Sequence, residues 1–159
     1  MKLLKLFQIN TQNIFEIDRT EQNLYDIVTQ FRALLKIPDT VKIKIRWGRK
    51  AKRVLGSVRL LKDVSVIRIS QYLADFNVPD YVLEEVILHE MIHIKTGYGS
   101  SIEKQYKNAH RGGIIRKEMD AVGKAQLYDE SDAWVKKNWY KHVRNYNRNE
   151  KFRLLRKKY

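Results

Sequence analysis

Hydrophobic positions along this chain change their period twice, and each change marks a change of element. Over residues 20–37, Leu24, Ile27, Val28, Phe31, Leu34 and Leu35 recur at three- and four-residue steps, which predicts a helix with one buried face that stops at Pro38. The period then falls to two. Val41, Ile43, Ile45 and Trp47 alternate with Lys42, Lys44 and Arg46, which predicts a strand with one buried and one basic face. Residues 54–61 and 64–70 read as two further strands, and Lys62-Asp63 between them leaves room only for a hairpin.

Helical spacing returns after Asn77. Pro79 suits a first turn, Asp80, Glu84 and Glu85 complement the positive end of the helix dipole, and Gly97 is placed to close the helix in a left-handed conformation. Ser100 and Glu103 have the spacing of a capping box, predicting a short helix over 101–108. Ile114, Ile115, Met119 and Val122 predict another helix after His110-Arg111-Gly112-Gly113. Ser131 is placed to cap a last one bearing Trp134, Trp139, Val143 and Tyr146. Residues 1–19 fit a strand or a lid. The order is helix, three-stranded antiparallel meander, helix and helical end, with no repeat and no linker, which predicts a single α+β domain with a basic, aromatic C-terminal helical extension over about 131–159.

Composition narrows the class. With 159 residues, 43% hydrophobic and 31% charged, the chain suits one globular domain. No apolar run approaches membrane-spanning length, no cleavage site follows the basic start, and there is no cysteine to form a disulfide framework or a cysteine-ligated zinc finger. These features point to an intracellular, cytoplasmic protein. The net charge of +14 is uneven, because the last 24 residues hold ten Lys/Arg against one acid, Glu150. Such clustering suits a polyanion, with DNA the expected partner. Lys136, Lys137, Lys141, Arg144, Arg148, Lys151 and Arg153 are the candidate phosphate contacts. Trp134, Trp139, Tyr140, Tyr146 and Phe152 offer stacking surfaces, although Trp134 and Trp139 also read as core.

The chemistry concentrates in Leu88-His89-Glu90-Met91-Ile92-His93. Histidines four apart share a helical face, so both imidazoles reach one tetrahedral zinc ion, and Glu90 stands beside the ion's open position as a general base toward water. The apolar face is already supplied by Val82, Val86, Met91 and Ile94, so packing does not require the histidines. A third ligand is needed. His110, 17 residues past His93, is the first candidate, with Glu103, Glu118 and Asp120 as alternatives, while His142 sits among cations. Tyr98 and Arg111 are candidate oxyanion donors by proximity alone.

Leu55-Gly56, Val66-Ile67-Arg68-Ile69-Ser70, the HExxH helix and His110 together resemble the SprT-like metalloprotease domain of bacterial SprT and eukaryotic Spartan proteins, over about residues 20–123. The resemblance implies a zincin-like fold, zinc bound by His89, His93 and His110, and Glu90 as general base in a peptidase; with the basic end of the chain as anchor, the leading expectation is that it acts on DNA-associated proteins. It also implies that the strand ending at Ser70 borders the cleft and can pair with an extended peptide. Two features depart from the family pattern: Arg111 follows His110 where glycine is usual, and the cysteine-rich zinc ribbon is missing. The competing expectation is a non-catalytic, zinc-stabilised DNA-binding or structural component of a larger assembly.

Overall fold

The first helix forms where the apolar spacing places it. In the computed structural model, residues 19–156 are described, except the side chains of Arg153 and Arg156, so the expected strand or lid over 1–19 lies outside them apart from Arg19. Helix α1 spans Glu21–Leu35. The Thr20 hydroxyl accepts the Asn23 N–H at 3.3 Å, and Lys36 ends the helix in the left-handed region (φ 54°). Leu24, Val28, Phe31 and Leu35 are buried, each contributing roughly 1.5–3 kcal/mol, which far exceeds what the cap supplies.

Strands β1 (Lys42–Trp47), β2 (Gly56–Leu61) and β3 (Val64–Ile69) form one sheet in the order β1-β3-β2. The expected antiparallel meander is corrected to a mixed sheet, because β1 runs parallel to β3 while β2 pairs with it antiparallel. The cause lies in the 48–55 connection. This segment crosses the end of β3 instead of turning back on β1: Gly48 N–H donates to Ile69 O (2.7 Å), Ser70 N–H to Leu55 O (2.8 Å), and the Ser70 hydroxyl donates to Ala51 O (2.8 Å). The strand leading to Ser70 is therefore central, which explains why Ser65, Val66, Ile67 and Ile69 are all buried.

The chain then passes through a 3₁₀ turn (Gln71–Ala74) into α2, Asp80–Lys95. Arg19, 7% exposed, holds the entry to α2 by donating to the carbonyls of Leu73, Asp75 and Val78 and by pairing with Asp80. The exit of α2 is a Schellman motif: Tyr98 N–H donates to His93 O (2.8 Å), Gly97 N–H to Ile94 O (3.1 Å), and Gly97 has φ 90°. The helix expected over 101–108 is absent. The Ser100 hydroxyl donates instead to Ile94 O (2.8 Å), and Gln105 N–H donates to Thr96 O (3.0 Å), so this segment folds back under the end of α2.

Helix α3 (Ile114–Ala121) buries Ile114, Ile115 and Met119. Helix α4 spans Ala125–Arg156, so it begins six residues before the expected cap at Ser131. Ser131 is inside the helix, 1% exposed, with its hydroxyl donating to Glu85 Oε2 at 3.3 Å. Packing against α2 overrode the local capping preference. α2 is the centre of the fold, in contact with α1, α3, α4, β2 and β3. No helix among the described residues is long and apolar enough to cross a membrane.

Candidate metal centre

α2 sets His89 and His93 one turn apart on the face toward β2, and the 96–110 segment returns His110 to the same point. His110 Nε2 lies 3.2 Å from His89 Nε2 and 3.0 Å from His93 Nε2. Ligands of a tetrahedral ion with bonds of about 2.05 Å stand about 3.3 Å apart, so the three nitrogens fit one metal ion. Hydrogen bonding alone does not account for the cluster. Each Nε2 offers one proton or one lone pair, so His110 Nε2 satisfies only one of its two neighbours, whereas a cation satisfies all three. Glycines at positive φ, Gly112 (73°) and Gly113 (68°), turn the chain from His110 into α3.

The electrostatics suit ligands. Burial, and then the charges of His89 and His110, pull His93 down to about 4, and burial followed by His89 lowers His110, so both rings are neutral at physiological pH. For His89, burial acts downward, but the Glu85 carboxylate 3.8 Å from Nδ1 and the charge on Glu90 outweigh it and leave its pKa raised. Glu85, itself held by Ser131, thus stands on the Nδ1 side of the His89 ring, away from the Nε2 cluster. His93 Nδ1 is buried without a hydrogen-bond partner among the described residues, which leaves that ring oriented by packing.

Glu90 is 5% exposed, and burial, with a smaller push from Glu85 against the pull of His89, raises its carboxyl to about 7. It borders the same cleft as the histidines. The cleft has a volume of about 570 Å³, with residues 53–58 along one wall, His89, Glu90 and His93 on the floor, and Tyr98 and His110 opposite. Gly56 makes this approach possible, since a Cβ there would lie 2.8 Å from Val86 Cγ1 and 2.9 Å from Glu90 Oε1. The edge strand bordering the cleft is β2, and the expectation that the strand ending at Ser70 occupies that edge is corrected by the sheet order.

Of the other candidates, Tyr98 lines the cleft and the rest lie elsewhere. Glu118 is paired with Lys95 and accepts from the Tyr106 hydroxyl, while Glu103 and Asp120 are exposed and outside the histidine cluster. His142 is buried, with Nε2 3.0 Å from Tyr72 O. The Tyr98 hydroxyl donates to Tyr106 O, and Arg111 is exposed and does not line the cleft. On α4, Lys136, Lys137, Lys141, Arg144, Arg148 and Lys151 are exposed, and Lys136 is bonded to Asp132 at 2.7 Å. The Arg153 side chain lies outside the described ones. Trp139 is a core residue whose indole N–H donates to Lys52 O at 2.7 Å, Trp134 and Tyr146 are half-buried, and only Tyr140 and Phe152 are strongly exposed. Three contributors escaped the residue-pattern reading: Glu85, Ser131 and Gly56. Only Glu85 carried a local signal, its i,i+4 spacing from His89.

An α+β domain whose central helix carries HExxH, with a third histidine brought back to it, has the arrangement of an HExxH site, three histidines placed where they could hold one metal ion. The SprT-like family matches residues 22–147, and the chain belongs to that family. The matched span runs into α4. No curated protein and no solved structure matches the chain.

Proposed function

We propose that this protein is a zinc metallopeptidase acting on proteins associated with DNA. The observation that carries the reading is the convergence of three imidazole nitrogens beside a buried carboxylate, in a cleft walled by an edge strand. His89, His93 and His110 hold the ion. Bound there, zinc supplies Lewis acidity toward water and the scissile carbonyl.

Glu90 does the proton work. A carboxylate whose proton affinity has been raised toward neutrality accepts a proton from the attacking water and passes it to the leaving amine. The start of β2 takes the substrate as an added strand, since its outer edge has no strand partner among the described residues. That wall is short, because Gly99 packs against Val58 O and closes the edge one residue beyond Ser57.

α4 supplies the anchor to DNA. Lys137, Lys141, Arg144, Arg148 and Lys151 recur at steps of four, three, four and three residues, forming one exposed stripe on the side of the helix away from Trp139 and Val143.

The test is hydrolysis of a DNA-bound protein substrate by zinc-loaded wild type and Glu90→Gln, with zinc measured on each. Expected are about one zinc per chain in both and a loss of roughly 10²–10⁴-fold in rate for the variant, the usual size of a lost general base. Retained hydrolysis in Glu90→Gln would remove Glu90 from the mechanism. Zinc without hydrolysis in the wild type, with and without DNA, would favour a non-catalytic, zinc-stabilised component instead.

A further inference from the structure

The sheet has two faces, and among the described residues only one packs against the core. Ile45, Ile67 and Ile69 point inward, so alternation puts Lys42, Lys44 and Arg46 of β1, Val64, Val66 and Arg68 of β3, and Ser57, Arg59 and Leu61 of β2 on the other face. The register sets Arg46 directly opposite Arg68, which faces Ser57 on its other side. One step along, Lys44 and Arg59 flank Val66. At the hairpin end Lys42 meets Asp63. At the opposite end no acid answers: among the described residues Lys44, Arg46, Arg49, Arg59 and Arg68 form no ion pair, and all five are exposed. Like charges directly opposite across a strand pair are unfavourable. Folding therefore gains nothing from placing Arg46 against Arg68, and the arrangement calls for an anion.

The geometry selects the anion. Arg46, Arg49, Arg59 and Arg68 line one open groove of about 660 Å³, and guanidinium forks match phosphate oxygens in pairs. Three of the four spread over roughly 10 Å across the strands and about 7 Å along them, which suits a polymer more than a single phosphate. Trp47 lines the groove but is half-buried against the core, which leaves little of it for an unpaired base, and the exposed apolar groups Val54, just before β2, and Leu61, at its far end, stand apart among the described residues, which disfavours a lipid surface. Ser57 and Gly56 line both this groove and the metal cleft, so a polymer on this face runs along the far side of β2 from Glu90.

We propose that the outer face of the sheet binds the phosphate backbone of a nucleic-acid duplex through Arg46, Arg49, Arg59 and Arg68, without reading its sequence. The proposal rests on the function proposed above only in taking a nucleic acid as partner. It requires neither hydrolysis nor the stripe on α4.

The experiment is fluorescence anisotropy of the full chain on a labelled duplex from 50 to 200 mM salt. It compares wild type, Arg46→Gln/Arg59→Gln/Arg68→Gln, and Lys137→Gln/Lys141→Gln/Arg144→Gln. Losing three phosphate contacts lowers the slope of log affinity against log salt by about 2.7, so across this range the sheet variant loses about 40-fold less affinity than the wild type. The single variants Arg46→Gln and Arg68→Gln each relieve a like-charged pair without touching the core, and each lowers the slope by about 0.9. An unchanged slope in the sheet variants, with a reduced one in the α4 variant, would overturn the sheet proposal and leave the α4 anchor standing. Duplex binding absent in wild type would overturn both nucleic-acid assignments while leaving the peptidase assay unaffected. Anionic phospholipid vesicles captured through the same arginines, with no duplex bound, would overturn the choice of polymer.

Discussion

Helices α2 and α4 both carry rows of ionisable residues, and the fold treats the two rows in opposite ways. Ten of the sixteen residues of α2 are buried, Glu90 and His93 among them, because the helix is covered by the sheet, α1 and α4. α4 divides cleanly, with Ser131, Trp139, His142 and Val143 inward and its described cations, Lys136 to Lys151, in solvent. A charge on α4 is thus almost free, whereas a charge on Glu90 or His93, desolvated inside α2, works against folding. Charges kept where they cost stability point to a ligand; charges in solvent need independent evidence.

The sharpest way to break this contrast is to remove the ligand that lies outside α2. His110 is exposed on an irregular segment, so His110→Ala leaves the core intact and removes one of the three candidate metal donors. Loss of a partner behind a ligand already costs 10- to 100-fold in metal affinity, so losing the ligand itself is expected to exceed about a hundredfold in a chelator competition. Equal affinity in the variant would take His110 out of the site.

The cost inside α2 is itself measurable in metal-free protein. Glu90 is raised from 4.5 to about 7, so the folded state holds its proton longer than the unfolded chain, and the stability tied to this group is lost as pH climbs from about 4.5 to 7. His93 is lowered from 6.5 to about 4, so the folded state releases its proton first, and stability rises over nearly the same window. The two slopes oppose and largely cancel. Glu90→Gln removes one of them: its urea-unfolding stability relative to wild type is expected to grow by about 3 kcal/mol between pH 4 and pH 8, from 2.5 pKa units at 1.36 kcal/mol each. A difference that stays constant with pH would mean that Glu90 is not held in a desolvated site.

This balance explains which parts were legible in the chain. Elements set by local spacing, such as α1, β1, the HExxH face and the Gly97 stop, stand in the residue pattern because near neighbours decide them. The mixed sheet was hidden, since nothing within β1 says that residues 48–55 will cross over β3. Ser100 and Ser131 misled for one shared reason. Both have capping chemistry, and both spend their hydroxyls on partners set by tertiary packing, Ile94 O and Glu85. For the candidate site, the histidines that converge were legible and their surroundings were not, since the glycine that leaves room for Glu90 comes from a strand 34 residues away.

That glycine supplies the next test. In Gly56→Ala the new methyl would stand 2.8 Å from Val86 Cγ1 and 2.9 Å from Glu90 Oε1, so either the strand or the carboxylate must move. Overpacking of this kind costs about 1–3 kcal/mol, and zinc content is expected to survive while hydrolysis falls. Gly48→Ala is the matched control, because its nearest neighbours are at 3.4 Å, close to ordinary contact. Equal stability and activity for the two variants would show that the β2 wall yields, and that Glu90 does not depend on it for position.

The smallest effect belongs to α4. Lys137, Lys141 and Arg144 are exposed and form no ion pair among the described residues, so changing all three to glutamine removes no contact that holds the fold. Glutamine has nearly the helix propensity of lysine and arginine, and the repulsion between Lys137 and Lys141 at i,i+4 is relieved. Thermal unfolding is therefore expected to shift by no more than about 0.5 kcal/mol, in the stabilising direction if at all. A loss of more than 1 kcal/mol would mean that the stripe already rests on another part of the chain and is not free for a partner. No loss, together with a weaker grip on duplex DNA, would make the stripe a surface kept for binding, and would leave α2 as the helix whose charges are held against the interest of the fold.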